Sequence, residues 1–262
     1  MDIFAMDIVI VCIVALLASG LTFFSGFGLG TLLLPAFALF MPLEQAVAAT
    51  AVVHLLNSLF KLALLRRHID RRVLLRFGVP ALLAALLGAW LLSRLGALPA
   101  LHRYTAFDHH FEILPLKLAI GALLLLFALI ELVPKLRDLE FDARWLPLGG
   151  ALSGFFGGLA GMQGALRTAF LARSGLGKQA FVATGAAIAC VIDISRLAVY
   201  AGTLLRVFGS LDHRLLACAV LAAFAGAWLG NRLLHRTTMK GLQRIVAAML
   251  FVFALGLIAG AL

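Results

Sequence analysis

The sequence predicts an all-α polytopic membrane protein: two inverted repeats, each a Gly-broken helix hairpin plus three transmembrane helices. Three observations carry that reading. Of 262 residues, 63% are hydrophobic and only 13% are charged, where soluble domains are about 45–50% apolar. Apolar runs near the ~20 residues that cross a bilayer recur along the chain. The two halves also echo one another, with glycines at matching places in otherwise apolar sequence.

The first Gly-broken pair occupies residues 8–41. An apolar stretch, 8–24, carries Ser19-Gly20 and runs into Gly26, Gly28 and Gly30 before a second stretch, 31–40. Glycine weakens a helix by about 1 kcal/mol per position relative to alanine and accepts conformations other residues avoid. That spacing predicts a helix that stops and restarts. Apolar helices follow at 45–65, 73–92 and 113–133, divided by a basic connector, 66–72, and a polar loop, 95–112. The loop holds His102, Arg103, Tyr104, Asp108, His109, His110 and Glu112, the aromatic and polar mixture of a membrane interface. Lys117 and Glu131 lie near helix ends, where their charges reach the interface.

The seam falls at 134–145, read as a cytoplasmic connector between a first membrane repeat, 1–133, and a second, inverted one, 146–262. The second pair, 146–173, is denser in glycine, with Gly154, Gly157, Gly158, Gly161 and Gly164. Apolar runs at 180–205, 215–234 and 242–262 complete it. A shift of 134 residues aligns Ser19-Gly20 with Ser153-Gly154, Gly30 with Gly164, Gln45-Ala46 with Gln179-Ala180 and Ala49-Thr50 with Ala183-Thr184. A slightly larger shift pairs Gly88-Ala89-Trp90-Leu91 with Gly226-Ala227-Trp228-Leu229. The common order of these matches argues for duplication.

Charge decides whether each pair crosses once or turns back. If both are hairpins, fourteen Lys and Arg residues fall on one side and four on the other; single crossings divide them ten against eight. The positive-inside rule favours hairpins with both termini outside. Each half then crosses an odd number of times, which inserts the second upside down. Pairs of Gly-interrupted segments at matching positions are also the best sequence pointer to a transporter's binding site.

The net charge of +10 reports orientation in this class, and no nucleic-acid module is visible. Cys12, Cys190 and Cys218 lie in apolar runs without CxxC spacing, so packing suits them better than a disulfide or metal. No paired catalytic carboxylates, HExxH or Ser/His/Asp constellation appears, and no catalytic residue, metal ligand or cofactor is expected. The N-terminal run lacks the basic start of a cleavable signal peptide.

Ionisable groups at membrane depth are costly and are functional candidates by default. Thr50, His54, Asn57 and Lys61 follow 4-3-4 spacing, which places them on one helical face. Asp193, Arg196 and Tyr200 form a second stripe at 3-4 spacing. Each stripe reads either as the wall of a substrate path or as helix–helix bonding, with Lys61 snorkelling to the surface and Asp193 pairing with Arg196. The glycines have their own alternative, since small residues three or four apart also permit close helix contact without unwinding. Arg167 lies in the first turns after the second break, where helix-end N–H groups and dipole attract anions.

The pattern Ser-Gly-x5-Gly-x-Gly-x-Gly from Ser19 to Gly30, followed by Pro35, the stretch 45–50, the basic connector and the second copy over 150–184 resemble the TauE/SafE family of sulfite and organosulfur-anion exporters. The resemblance implies a bacterial inner-membrane, multi-pass permease for small anions such as sulfite or sulfonates. The chain departs from the family's pattern at Met162, Gln163 and Arg167, and has Ala169 where Pro35 would repeat. The expected function is secondary transport of a small anion by alternating access. Gly28, Gly30, Thr31, Asn57, Gly161, Gln163, Gly164 and Arg167 are the expected substrate contacts. His54, Lys61, Asp193, Arg196 and Tyr200 form the polar stripes, and a proton on His54 or Asp193 is the expected coupling partner. A cation or metal permease and a non-transporting assembly factor remain the alternatives.

Overall fold

Each predicted apolar run is helical through most of its described length. The computed structural model describes residues 3–25, 29–106, 109–137, 139–208, 212–233 and 240–260. The first half contains α1 (Ile3–Ser25), α2 (Leu29–Ala38), α3 (Leu43–Leu65), α4 (Arg71–Gly96) and α5 (Pro115–Leu132). The connector holds the short α6 (Pro134–Arg137), and the second half contains α7 (Leu146–Ala160), α8 (Gly164–Leu171), α9 (Lys178–Phe208), α10 (His213–Leu233) and α11 (Lys240–Ile258). Among the described residues, α3, α4, α5, α9 and α10 contain segments long and apolar enough to cross a membrane. Local chemistry sets several starts. Asp70 caps α4 by accepting from the Val73 N–H at 2.9 Å, and Pro115 opens α5, where its missing N–H costs nothing.

Both Gly-broken pairs turn back. At 1.5 Å per residue, α2 and α8 reach only about 15 Å and 12 Å, well short of the ~30 Å hydrocarbon core. Gly149 in the first turn of α7 lies against Phe170 near the end of α8, and the Phe141 N–H donates to the Ala169 carbonyl at 3.0 Å. The feet of that hairpin therefore sit together, with residues 161–163 as its tip. In the first pair, Ile10 and Val14 of α1 share one groove with Pro35 and Ala36 of α2 and with Leu39 just after it.

The glycine-rich stretch of the second pair splits into two roles. Gly150, Gly154 and Gly158 pack on the backbone at Phe77, Ala81 and Ala85 of α4, four residues apart on both helices, so no side chain fits between them. This is the small-residue contact face of membrane helices. Gly161 is the break: its φ of 77° lies in the left-handed region, which most residues avoid. Close contact and interruption were alternatives in the sequence, and both are present on one helix.

The halves interlock. Helix α1 packs on α10 and α4 on α7, while α3 packs on α9 and α5 on α11. Asp70, just past α3, donates its N–H to Thr184 Oγ1 near the start of α9 at 2.9 Å. Tyr104, before α5, donates its hydroxyl to the Ala259 carbonyl after α11 at 2.5 Å. Both counterpart pairs are thus antiparallel.

Two expectations are corrected. The loop 95–112 contains an ordered hairpin, β1 (His102–Ala106) paired with β2 (His109–Ile113). An Arg103–Glu112 ion pair at 2.9 Å and the stacked Tyr104 and Phe111 rings support it. Its alternation is too brief to stand out beside the apolar runs. Glu131 does not reach an interface but is buried in the α5 face.

Candidate functional site

The start of α2 meets the second helix break at Gly161. A methyl placed on Gly30 in the first turn of α2 would come within 2.7 Å of the Gly161 carbonyl oxygen. The Arg196 guanidinium closes over the other side of Gly161, 2.6 Å from where a Cβ would stand. Only glycines permit this approach.

Behind the tip lies a buried polar cluster. Asp193 and Arg196 are both fully buried on α9. Asp193 Oδ1 accepts from Arg196 Nε at 3.0 Å, with Nη2 at 2.9 Å. Its Oδ2 is 2.5 Å from His54 Nδ1 on α3. Gln163, the residue before α8, donates its side-chain amide to the same Asp193 Oδ1 at 3.4 Å. The Gln163 Oε1 accepts from Arg167 Nη1 at 3.1 Å, and Ser153 Oγ donates to its backbone carbonyl at 3.0 Å. A carboxylate taken out of water needs this many partners.

Arg167 faces a cavity of about 40 Å³. His54, Ser58 and Lys61 of α3, Arg167 and Thr168 of α8, and Phe181, Val182, Gly185, Ala186 and Ala189 of α9 line it. Two cationic side chains and two hydroxyls thus face one small space, and its described lining contains no carboxylate. Lys61 does not snorkel; it is only 8% exposed. The chemistry suits a small anion with several acceptor oxygens, because guanidinium, ammonium and hydroxyl groups all donate.

A comparison with known families decides what kind of protein carries this cavity. Residues 11–257 match the family model of the sulfite exporter TauE/SafE. The chain belongs to that family. The match covers nearly all of both Gly-broken pairs and most of every long helix, and TauE/SafE is a transporter family. Neither curated proteins nor solved structures gave a match.

In this TauE/SafE protein the expected site residues divide into groups. Arg167, Lys61 and His54 meet at the cavity, and Gln163 links Arg167 to Asp193 and Arg196. Gly161 and Gly164 build the tip of the second hairpin, and Gly30, in the first turn of α2, packs against it. Asn57 instead accepts from Ser19 on α1 at 3.0 Å, and the Tyr200 hydroxyl donates to the Gly158 carbonyl at 2.8 Å, bracing α7. Neither Asn57, Thr31 nor Tyr200 lines the cavity. Gly28 lies outside the described residues. Ser58 and Thr168 were missed by the sequence reading, although each directly follows a singled-out residue, Asn57 and Arg167. Thr50 Oγ1 and both terminal nitrogens of Arg196 are buried without a hydrogen-bond partner among the described residues.

Proposed function

We propose that this chain is a secondary transporter of small anions, sulfite, sulfonates or related organic anions, working by alternating access in the bacterial inner membrane. The observation that carries the reading is the cavity beside the second helix break, faced by Arg167 and Lys61 with no carboxylate in its described lining. Arg167 is the main charged contact, Gln163, Ser58 and Thr168 add neutral donors, and the restarted helices at Gly30 and Gly164 lend N–H groups and dipole. Thr31 and Asn57 belong to the wider path rather than to this cavity. A proton shared by His54 and Asp193 is the coupling partner. The antiparallel α3/α9 and α5/α11 pairs support inverted repeats, and rocking of one repeat against the other would alternate access.

A cation or metal permease would want several membrane-embedded acids, whereas Asp193 is already held by His54 and Arg196. The test is direct binding of labelled sulfite, methanesulfonate and acetate to purified protein. Saturable binding of at least one is expected, weakened about thirtyfold or more in Arg167→Ala, because losing a desolvated charge contact costs roughly 2–5 kcal/mol. Arg167→Lys should recover only part, since lysine lacks the guanidinium's planar fork. Binding within about twofold of wild type in folded Arg167→Ala would make Arg167 an anchor. No binding of any anion would favour an assembly role.

A further inference from the structure

We infer that Asp193 is a tethered stand-in for the transported anion: it occupies a second, deeper oxyanion station on Arg196 and Gln163, and an incoming anion displaces it. The inference rests on the transport reading above and adds a station that the cavity itself does not contain. Arg196 is wholly buried, yet of its nitrogens only Nε completes an aligned hydrogen bond, to Asp193. Nη2 makes an ion-pair contact with the same oxygen, and Nη1, facing Gly161, has no partner among the described residues. A guanidinium offers five donors suited to two-oxygen ligands, and a single carboxylate oxygen leaves most of them unused. A sulfonate, sulfite or carboxylate group could take up more.

Formal charge points the same way. Among the described residues, Arg167 and Arg196 stand against Asp193 in this layer, two positive groups to one negative with His54 neutral. Excess buried charge of one sign is costly, and a bound anion offsets it. Gln163 connects the stations, because its Oε1 is held by Arg167 and its amide donates to Asp193. An anion that bonds Arg167 competes with Gln163 Oε1 and so loosens the amide's hold on Asp193. His54 supplies the remaining part: at 2.5 Å from Oδ2 it keeps a partner on Asp193 when Arg196 passes to the substrate. The displaced carboxylate is then not stranded.

Calorimetric titration of purified wild type, Asp193→Asn and the doubly neutral Asp193→Asn/Arg196→Gln with methanesulfonate tests this. Asp193→Asn removes the competitor and should bind about tenfold tighter or more, while the double variant should give that gain back. Folded Asp193→Asn that binds within twofold of wild type, or a double variant as tight as the single one, overturns the inference. Infrared difference spectra of 13C-aspartate-labelled wild type give an answer even if the variants do not fold. Saturating methanesulfonate should shift a buried aspartate carboxylate band, and an unchanged aspartate spectrum overturns the proposal. The failures are distinguishable. Wild-type binding that disappears in Arg167→Ala but is unchanged in Asp193→Asn removes only the stand-in, whereas no binding of sulfite, methanesulfonate or acetate by the wild type removes both readings.

Discussion

At the scale of single residues, Gly161 is the position on which the centre depends most. It takes a left-handed φ of 77°, and a side chain there would meet the Arg196 guanidinium. Both effects oppose any substitution, and holding a non-glycine residue in that region costs of order 1–3 kcal/mol. Gly161→Ala should therefore lower the melting temperature of purified protein by several degrees. Gly177→Ala, whose new methyl meets nothing within 4 Å, serves as the comparison and should melt close to wild type. Equal melting of the two variants would show that the tip tolerates a side chain and that Arg196 moves aside.

At the scale of elements, the close approach of α7 to α4 fixes where the second hairpin stands. Carbonyl groups of Phe77, Ala81 and Ala85 occupy the places that side chains on Gly150, Gly154 and Gly158 would need. Without a hydrophobic drive between helices in lipid, such backbone contact is what associates them. Gly154→Leu should thus reduce the yield of folded, monodisperse protein from membranes. Leu152→Ala, on the more exposed side of the same helix, should not. The same logic applies to α1 and α10, where Gly226 abuts the Leu16 carbonyl. A normal yield of Gly154→Leu would mean that α7 slides without consequence and that the hairpin is held by its loops.

For the whole molecule, the antiparallel counterpart helices and the charge distribution lead to one proposed orientation, with the hairpin of β1 and β2 and both termini outside. Arg103 and Arg144 carry well-exposed side chains at opposite ends of that arrangement. Arg103→Cys and Arg144→Cys, each in a background without the native cysteines, should differ towards an impermeant thiol reagent added to intact cells. Labelling of Cys at position 103 alone is expected. Labelling at 144 alone would reverse the proposed orientation, and labelling of both would place the two loops on the same side.

The class of protein was legible in the chain because membrane insertion is decided by composition and by runs of apolar residues, both local properties. Hairpins followed from counting Lys and Arg in short loops, which reflects a rule about insertion and needs no contacts. The stripes at Thr50–Lys61 and Asp193–Tyr200 were legible because helical spacing alone puts their members on one face. What spacing could not supply was partners across helices. His54 bonds Asp193 from 139 positions away, while Asn57, on the same stripe, turns to Ser19. The glycines were ambiguous for the same reason: whether Gly154 permits contact and Gly161 makes a break depends on what lies opposite each. Tertiary packing alone brought Arg167, Lys61 and His54 to one cavity and set His54 and Gln163 on Asp193 behind it, because burial and pairing across elements are properties of neighbours that a sequence does not record.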